Sequence, residues 1–334
     1  MRALFIESAQ QAVLKDIDPP RPEAGEVLID VDYVGICGSD LHYYYEGANG
    51  EFVVREPLVP GHELSGRVAL DPSGVFSPGQ PVTVHPARFG TEQADYREFP
   101  HLWPGGSYLG SASTWPHTQG AAADQLVVDQ RMVIPLPEGL PVRRAALAEP
   151  LAVAMHGVAR AGNLQGQRVL VSGAGPIGLL TLVAARAAGA ATVDISDVLE
   201  GPLERARQLG ADEVINVAES QLKVSAYDVV LECSGAPVAI SAALAAARPA
   251  GTVVQVGMVP NEPRPVNLAP YIAKELRLLG TFRFKDEITA AIKLLAADPG
   301  IESVITHEFS LEEAEAAFAA ARDSQVSGKV VLKL

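Results

Sequence analysis

Residues Arg168–Ser172 read as a short apolar strand, and the next six, Gly173-Ala174-Gly175-Pro176-Ile177-Gly178, open an apolar helix that runs through Ala187. In that setting each glycine has a task. Gly173 permits a tight turn, Gly175 lets a bulky ligand approach the backbone, and Gly178 lets the helix pack directly on the strand. Strand signals recur at 192–195, 213–216, 227–231 and 252–256, with a helix around 203–209 and Ala-rich helical stretches later. Apolar strands alternating with helices predict a parallel sheet covered on both faces, an α/β fold.

A glycine turn at a helix N-terminus attracts phosphate, so this loop is expected to hold the pyrophosphate of a dinucleotide. The same fingerprint requires an acid at the end of the following strand, about twenty residues on, to accept from a ribose 2′-hydroxyl. Asp197 stands nineteen residues after Gly178 and fits, whereas Asp194 falls at the wrong phase of the strand. Val198-Leu199-Glu200 brings no cation beside Asp197, which favours NAD over NADP.

Residues 1 to about 150 have another texture, rich in Pro and Gly, with short strand-like runs at 27–31 and 81–84. Cys37-Gly38-Ser39-Asp40-Leu41-His42 lies there, followed by Gly61-His62-Glu63, and Cys37 is one of only two cysteines among 334 residues. A thiolate, an imidazole and a carboxylate suit a zinc ion that keeps one position open for chemistry. The carboxylate is Glu63 or Glu149, which sits in Ala148-Glu149-Pro150 before the second half. Such a zinc could polarise a substrate hydroxyl while hydride passes to a nicotinamide. Ser39 and His42 are the residue types that would carry the released proton to solvent.

The balance of 26 basic and 40 acidic residues, a net charge of −14, argues against nucleic acid or an anionic membrane as partner. The longest apolar run, 179–195, is interrupted by Arg186 and glycine and falls short of the roughly eighteen residues of a membrane span. The N-terminal Met1-Arg2-Ala3-Leu4-Phe5-Ile6-Glu7 meets charge too early for a secretion signal. Cys37 and Cys233 fall in different halves, so no structural disulfide is expected and the cytoplasm is the expected compartment. After about 285 the sequence predicts a helix at 287–296, a capping box at 310–313 and a closing strand at 329–332.

Gly35 through His42, Gly61-His62-Glu63, Glu149-Pro150-Leu151 and the 173–178 loop together resemble the zinc-dependent medium-chain dehydrogenase/reductase family over nearly the whole chain. Within it, His42-Tyr43-Tyr44, Pro116-His117, Val256-Gly257-Met258 and Gly280 through Phe284 resemble the polyol branch of sorbitol and L-idonate 5-dehydrogenases. The resemblance implies a GroES-like, strand-rich catalytic domain (1–152 and 289–334) and a Rossmann, doubly wound NAD-binding domain (153–288). It implies that Cys37, His62 and Glu63 or Glu149 hold catalytic zinc, that Ser39 and His42 relay the proton, and that Asp197 reads the ribose. It places Val256, Gly257 and Phe282 near the nicotinamide, and Tyr43, Phe52, Trp115 and Arg283 around the substrate. Arg283 suits the hydroxyls or carboxylate of a sugar acid. The implied reaction is oxidation of a secondary alcohol of a polyol or sugar acid, L-idonate to 5-keto-gluconate foremost, in a homodimer or tetramer.

Three departures stand out. Zinc members commonly carry four cysteines at about 86–110 for a second, structural zinc; this chain has none there, so one catalytic zinc is expected. Phe89, Tyr96, Phe99 and Trp103 are candidates to pack that lobe instead. Pro72 and Gln80-Pro81 also replace residues usual in the family. A zinc-free reductase would not need Cys37, His62 and Glu63 together, and a non-catalytic NAD sensor would not need Ser39 and His42 beside them.

Overall fold

The computed structural model describes residues 1–334. They form two compact units: Met1–Glu149 with Ile288–Arg322 and Lys329–Leu334, and Pro150–Glu287 with Asp323–Gly328.

The first unit is built on a seven-stranded sheet. Its path runs Val133–Pro135, Pro81–Val84, Glu63–Leu70, Glu26–Gly35, Lys329–Lys333, Ile305–Ser310, and Gln125–Asp129 pairs with Glu26–Gly35 off that path. Glu26–Gly35 is long enough to serve two partners along one edge, Gln125–Asp129 at its start and Lys329–Lys333 at its end. Leu4, Ile6, Ile29, Leu58, Leu64 and Phe318 are fully buried and fill the core beside it. This pairing brings the end of the chain next to Gly35, immediately before Cys37.

At Cys37 the strand gives way to the helix Gly38–Glu46, which ends at Gly47 with φ 69°, its N–H bonded to the Tyr43 carbonyl. A left-handed C-terminal residue of this kind is a glycine task, because any Cβ there would be strained.

The second unit is a six-stranded, all-parallel sheet in the order Val214–Asn216, Thr192–Asp197, Arg168–Ser172, Tyr227–Glu232, Ala247–Gln255, Arg277–Gly280. That is the 3-2-1-4-5-6 order of a Rossmann fold, with the helices Pro176–Ala187, Glu200–Gln208 and Pro237–Ala246 in the crossovers. Val169, Leu170, Val171, Val193 and Ile195 have no exposed surface, which explains why these strands are apolar without alternation. Residues 323–328, although flanked by the first unit, group with this one. Arg205 holds them there by donating to the carbonyls of Ser324, Gln325 and Ser327. No helix is long and apolar enough to cross a membrane.

Candidate metal centre and dinucleotide loop

Asp40 joins the two halves of the metal motif. It is 1% exposed. One carboxylate oxygen accepts from the Cys37 N–H at 2.9 Å and the other from the Gly61 N–H at 3.1 Å. The first bond caps the helix and the second fixes the turn that presents His62, so one side chain sets the spacing of both ligand segments. The sequence reading gave Asp40 no role, although an acid three residues after a helix cap is a readable capping signal.

The ligand atoms of Cys37, His62 and Glu63 lie within 4.8 Å of one another. His62 and Glu63 are buried, yet His62 Nδ1 and Glu63 Oε2 have no hydrogen-bond partner. An unsatisfied buried polar atom costs about 1–3 kcal/mol, so two beside one thiol form a site that expects an occupant. The donors are S, N and O, and a set of three protein ligands is one that a catalytic zinc takes.

The surrounding charge agrees. Burial alone would push the His62 imidazole down, but the charge of Cys37, with Asp40 and Glu149 behind it, holds it up to about 10. Burial pushes the Asp40 and Glu149 carboxyls up. Buried acids and a thiol thus crowd around one imidazole. A cation comes from Lys329, which nothing in the sequence singles out at the head of an apolar strand. Its Nζ donates to Glu63 Oε1 at 2.7 Å and to the Ile36 carbonyl at 3.0 Å, with both side chains buried. Burial acts to lower this ammonium, yet Glu63, Cys37 and Glu149 hold it above its ordinary value.

Glu149 lies outside the three-atom cluster. It sits in the first turn of the helix Ala148–Ala161 and accepts from the Tyr108 hydroxyl at 2.5 Å.

The other residues expected in the first unit are spread out. Ser39 is half-buried in the first helical turn, and His42 is exposed with Nδ1 3.0 Å from Glu46. Tyr43, expected to line the substrate pocket, packs inward. It is 1% exposed, and its hydroxyl accepts from the Ala112 N–H at 3.1 Å, because the helix turns it inward with Tyr44. Phe52 pairs with Asn49 in a two-residue hairpin and packs, half-buried, on the core. Trp115 is 62% exposed, edge-on to His117. In the cysteine-free lobe, Phe89 and Tyr96 are exposed rather than enclosed. Phe89 meets His85 edge-on, the Trp103 indole donates to the Tyr96 carbonyl, and the Thr91 N–H bonds the Pro104 carbonyl.

In the second unit the three loop glycines separate by what a Cβ would meet. At Gly178 it would stand 1.8 Å from the Gly173 carbonyl oxygen, and at Gly173, where φ is 98°, 2.9 Å from the Ser234 nitrogen. At Gly175 it would meet nothing within 4 Å. The first two are therefore required by the protein itself. Gly175 opens on empty space at the cap of the helix Pro176–Ala187, where Pro176 and Ile177 form the first turn. That is where a pyrophosphate needs free backbone N–H groups.

Asp197 ends its strand and accepts from the Ala174 N–H at 2.7 Å and the Leu199 N–H at 3.0 Å, so it lies against the loop. Asp194 is taken by the Tyr227 hydroxyl at 2.9 Å. Glu232, fully buried and unremarked in the sequence, accepts from the N–H groups of Ser234 and Gly235 and from Gln255 Nε2, which also donates to the Gly257 carbonyl. It shapes the turn bearing Val256 and Gly257, both of whose N–H groups bond the Glu232 carbonyl. Phe282 is exposed, with the Arg283 guanidinium 4.8 Å over its ring, and Arg283 has φ 51°.

Comparison with known proteins agrees with this geometry. The alcohol dehydrogenase GroES-like domain matches residues 23–138, and the zinc-binding dehydrogenase domain matches 176–297. L-idonate 5-dehydrogenase (NAD(P)(+)) of Escherichia coli K12 is 34% identical over 91% of each chain. Sorbitol dehydrogenase of Gallus gallus is 34% identical over 99% of this chain and 96% of its own. The crystal structure of the E. coli L-idonate 5-dehydrogenase superposes with a TM-score of 0.92 at 31% identity, covering 100% of this chain and 98% of that one. The chain belongs to the zinc-dependent medium-chain dehydrogenase family, in its polyol branch. It is an oxidoreductase acting on CH–OH groups.

Proposed function

We propose that the protein oxidises, reversibly, a secondary hydroxyl of a polyol or sugar acid, with L-idonate to 5-keto-gluconate the favoured reaction, and that NAD takes the hydride. The observation that carries this is the cluster of Cys37, His62 and Glu63, in which His62 Nδ1 and Glu63 Oε2 are buried polar atoms without a partner. Zinc, when bound, supplies Lewis acidity toward a substrate hydroxyl. Cys37, His62 and Glu63 hold it, and Asp40 and Lys329 orient that set from behind. Ser39 accepts the proton released by the substrate, and His42, exposed on the same helix, delivers it to water. Tyr43, whose hydroxyl lies against Ser111 and the Ala112 N–H, is proposed to border the substrate from that side. Phe52, Trp115 and Arg283 are the other proposed substrate contacts.

The loop 173–178 binds the pyrophosphate, Val256, Gly257 and Phe282 border the nicotinamide, and Asp197 accepts from the ribose. NAD is favoured over NADP because a 2′-phosphate would face Asp197. Arg205, which feels the Asp197 charge, is committed to three backbone carbonyls. One zinc per chain is proposed, since the lobe at 86–110 has no cysteine. We also propose a homo-oligomer, supported by the edge strand Arg277–Gly280 with exposed Leu278 in it and exposed Ile272 just before it. Light scattering checks this. Two unpaired cysteines support the cytoplasm.

The deciding experiment measures metal content and NADH formation with L-idonate, sorbitol, xylitol, gluconate and simple secondary alcohols. About one zinc per chain and fastest turnover on a polyol or sugar acid are expected. A chain purified without chelator that holds no zinc would end this reading.

A further inference from the structure

The cysteine-free lobe reaches the metal centre through one residue that neither the resemblance nor the proposed mechanism uses. Tyr108 lies in the short strand Ser107–Tyr108, paired with Ala87–Arg88. It is 5% exposed, its ring meets that of His62 edge-on at 5.3 Å between centroids, and its hydroxyl donates to Glu149 Oε1 at 2.5 Å. A phenylalanine could make the same ring contact. The hydroxyl therefore serves Glu149.

Two buried carboxylates stand beside the Cys37–His62 pair, and each is held differently. Glu63, a member of the cluster, has one oxygen on Lys329 and the other without a partner. Glu149 has an oxygen on Tyr108 and lies outside the cluster. For Glu149 to take Glu63's place with that oxygen, it must give up a short charge-assisted hydrogen bond in a buried site. From this geometry we infer that Tyr108 is a positioning residue for the metal centre: its hydroxyl keeps Glu149 in reserve and leaves Glu63 as the carboxylate that meets the metal. The lobe is thereby registered to the centre by a hydrogen bond. This rests on the metal-centre reading above.

Cobalt(II), whose visible absorption reports its ligands, is the probe, with Tyr108→Phe, Glu149→Gln and the double variant compared. Wild type and Tyr108→Phe should each bind about one cobalt. Tyr108→Phe should alter the visible bands and change the cobalt dissociation constant about tenfold, the low end for residues one shell beyond the ligands. In the Glu149→Gln background the same change should do nothing further, since Tyr108 acts through Glu149. Glu149→Gln alone should keep a near-wild-type spectrum, which tests the inference even if Tyr108→Phe folds poorly; a spectrum as altered as that of Glu63→Gln overturns it. Unchanged bands and affinity in Tyr108→Phe, an equal effect with Glu149 removed, or a lowered melting temperature without a spectral change also overturn it. Failure of the wild-type chain to bind cobalt is a separate result. It ends the metal-centre reading, and the inference with it.

Discussion

The metal centre and the dinucleotide loop solve opposite problems. The first gathers charged and polar side chains from distant parts of the chain into a buried place: Cys37, Asp40, His62, Glu63, Tyr108, Glu149 and Lys329. The second works by leaving side chains out, with Gly173 and Gly178 demanded by neighbouring backbone and Gly175 open to solvent. Damage should follow that difference. Removing a side chain from the metal centre should abolish chemistry with little change to the fold. Adding a methyl group at Gly173 or Gly178 should strike the fold itself.

The largest expected effect is that of Cys37→Ser. Turnover should fall more than about a hundredfold, beyond what partners outside the ligand set contribute. Zinc content should fall with it, while NADH affinity, read by fluorescence titration, stays near wild type. Parallel loss of NADH binding would show that the two sites are not separable in this way.

Gly178→Ala should come next, because its Cβ would sit 1.8 Å from the Gly173 carbonyl oxygen. Overpacking against backbone costs about 1–3 kcal/mol or more, visible in urea unfolding. The first unit's zinc should be retained. A variant as stable as wild type would mean that the loop tolerates side chains after all.

Asp197→Ala should narrow the preference for NAD over NADP by about tenfold, the order of one charge-assisted hydrogen bond. An unchanged ratio of kcat/KM for the two cofactors would point to another acid. His42→Ala is expected to be the mildest. Its contact with Glu46 is an exposed pair worth well under about 1 kcal/mol, so melting should not move. Because water can stand in for an exposed imidazole, kcat should fall only about threefold to tenfold. An unaltered kcat would remove His42 from the relay.

The dinucleotide half was the more legible in sequence, and the reason is local. A strand, a glycine turn and a helix are contiguous, and each glycine's task is set by neighbours within a few residues or by the adjacent strand end. Strand alternation already separates Asp197 from Asp194, and in the structure Asp197 lies against the loop while Asp194 accepts from Tyr227. The metal half was legible only as an inventory. Cys37, His62, Glu63 and Glu149 could be named, but not ranked, because ranking depends on distances between segments far apart in the chain. Tyr43 shows the same limit from the other side. Sequence places it one residue after His42, but its burial and its hydrogen bond to the Ala112 N–H are set by helix packing.

The sequence by itself determined the α/β order of the second unit, the donor types of the candidate metal centre and the lack of any cysteine at 86–110. These follow from short-range periodicity and from which residues exist. Tertiary structure alone decided that Lys329 pairs with Glu63, that Asp40 braces two ligand segments, that Tyr108 grips Glu149, and that residues 323–328 join the second unit through Arg205. Each of these joins groups far apart in sequence. Burial makes their charges and hydrogen bonds matter, and burial is a property of the packed chain.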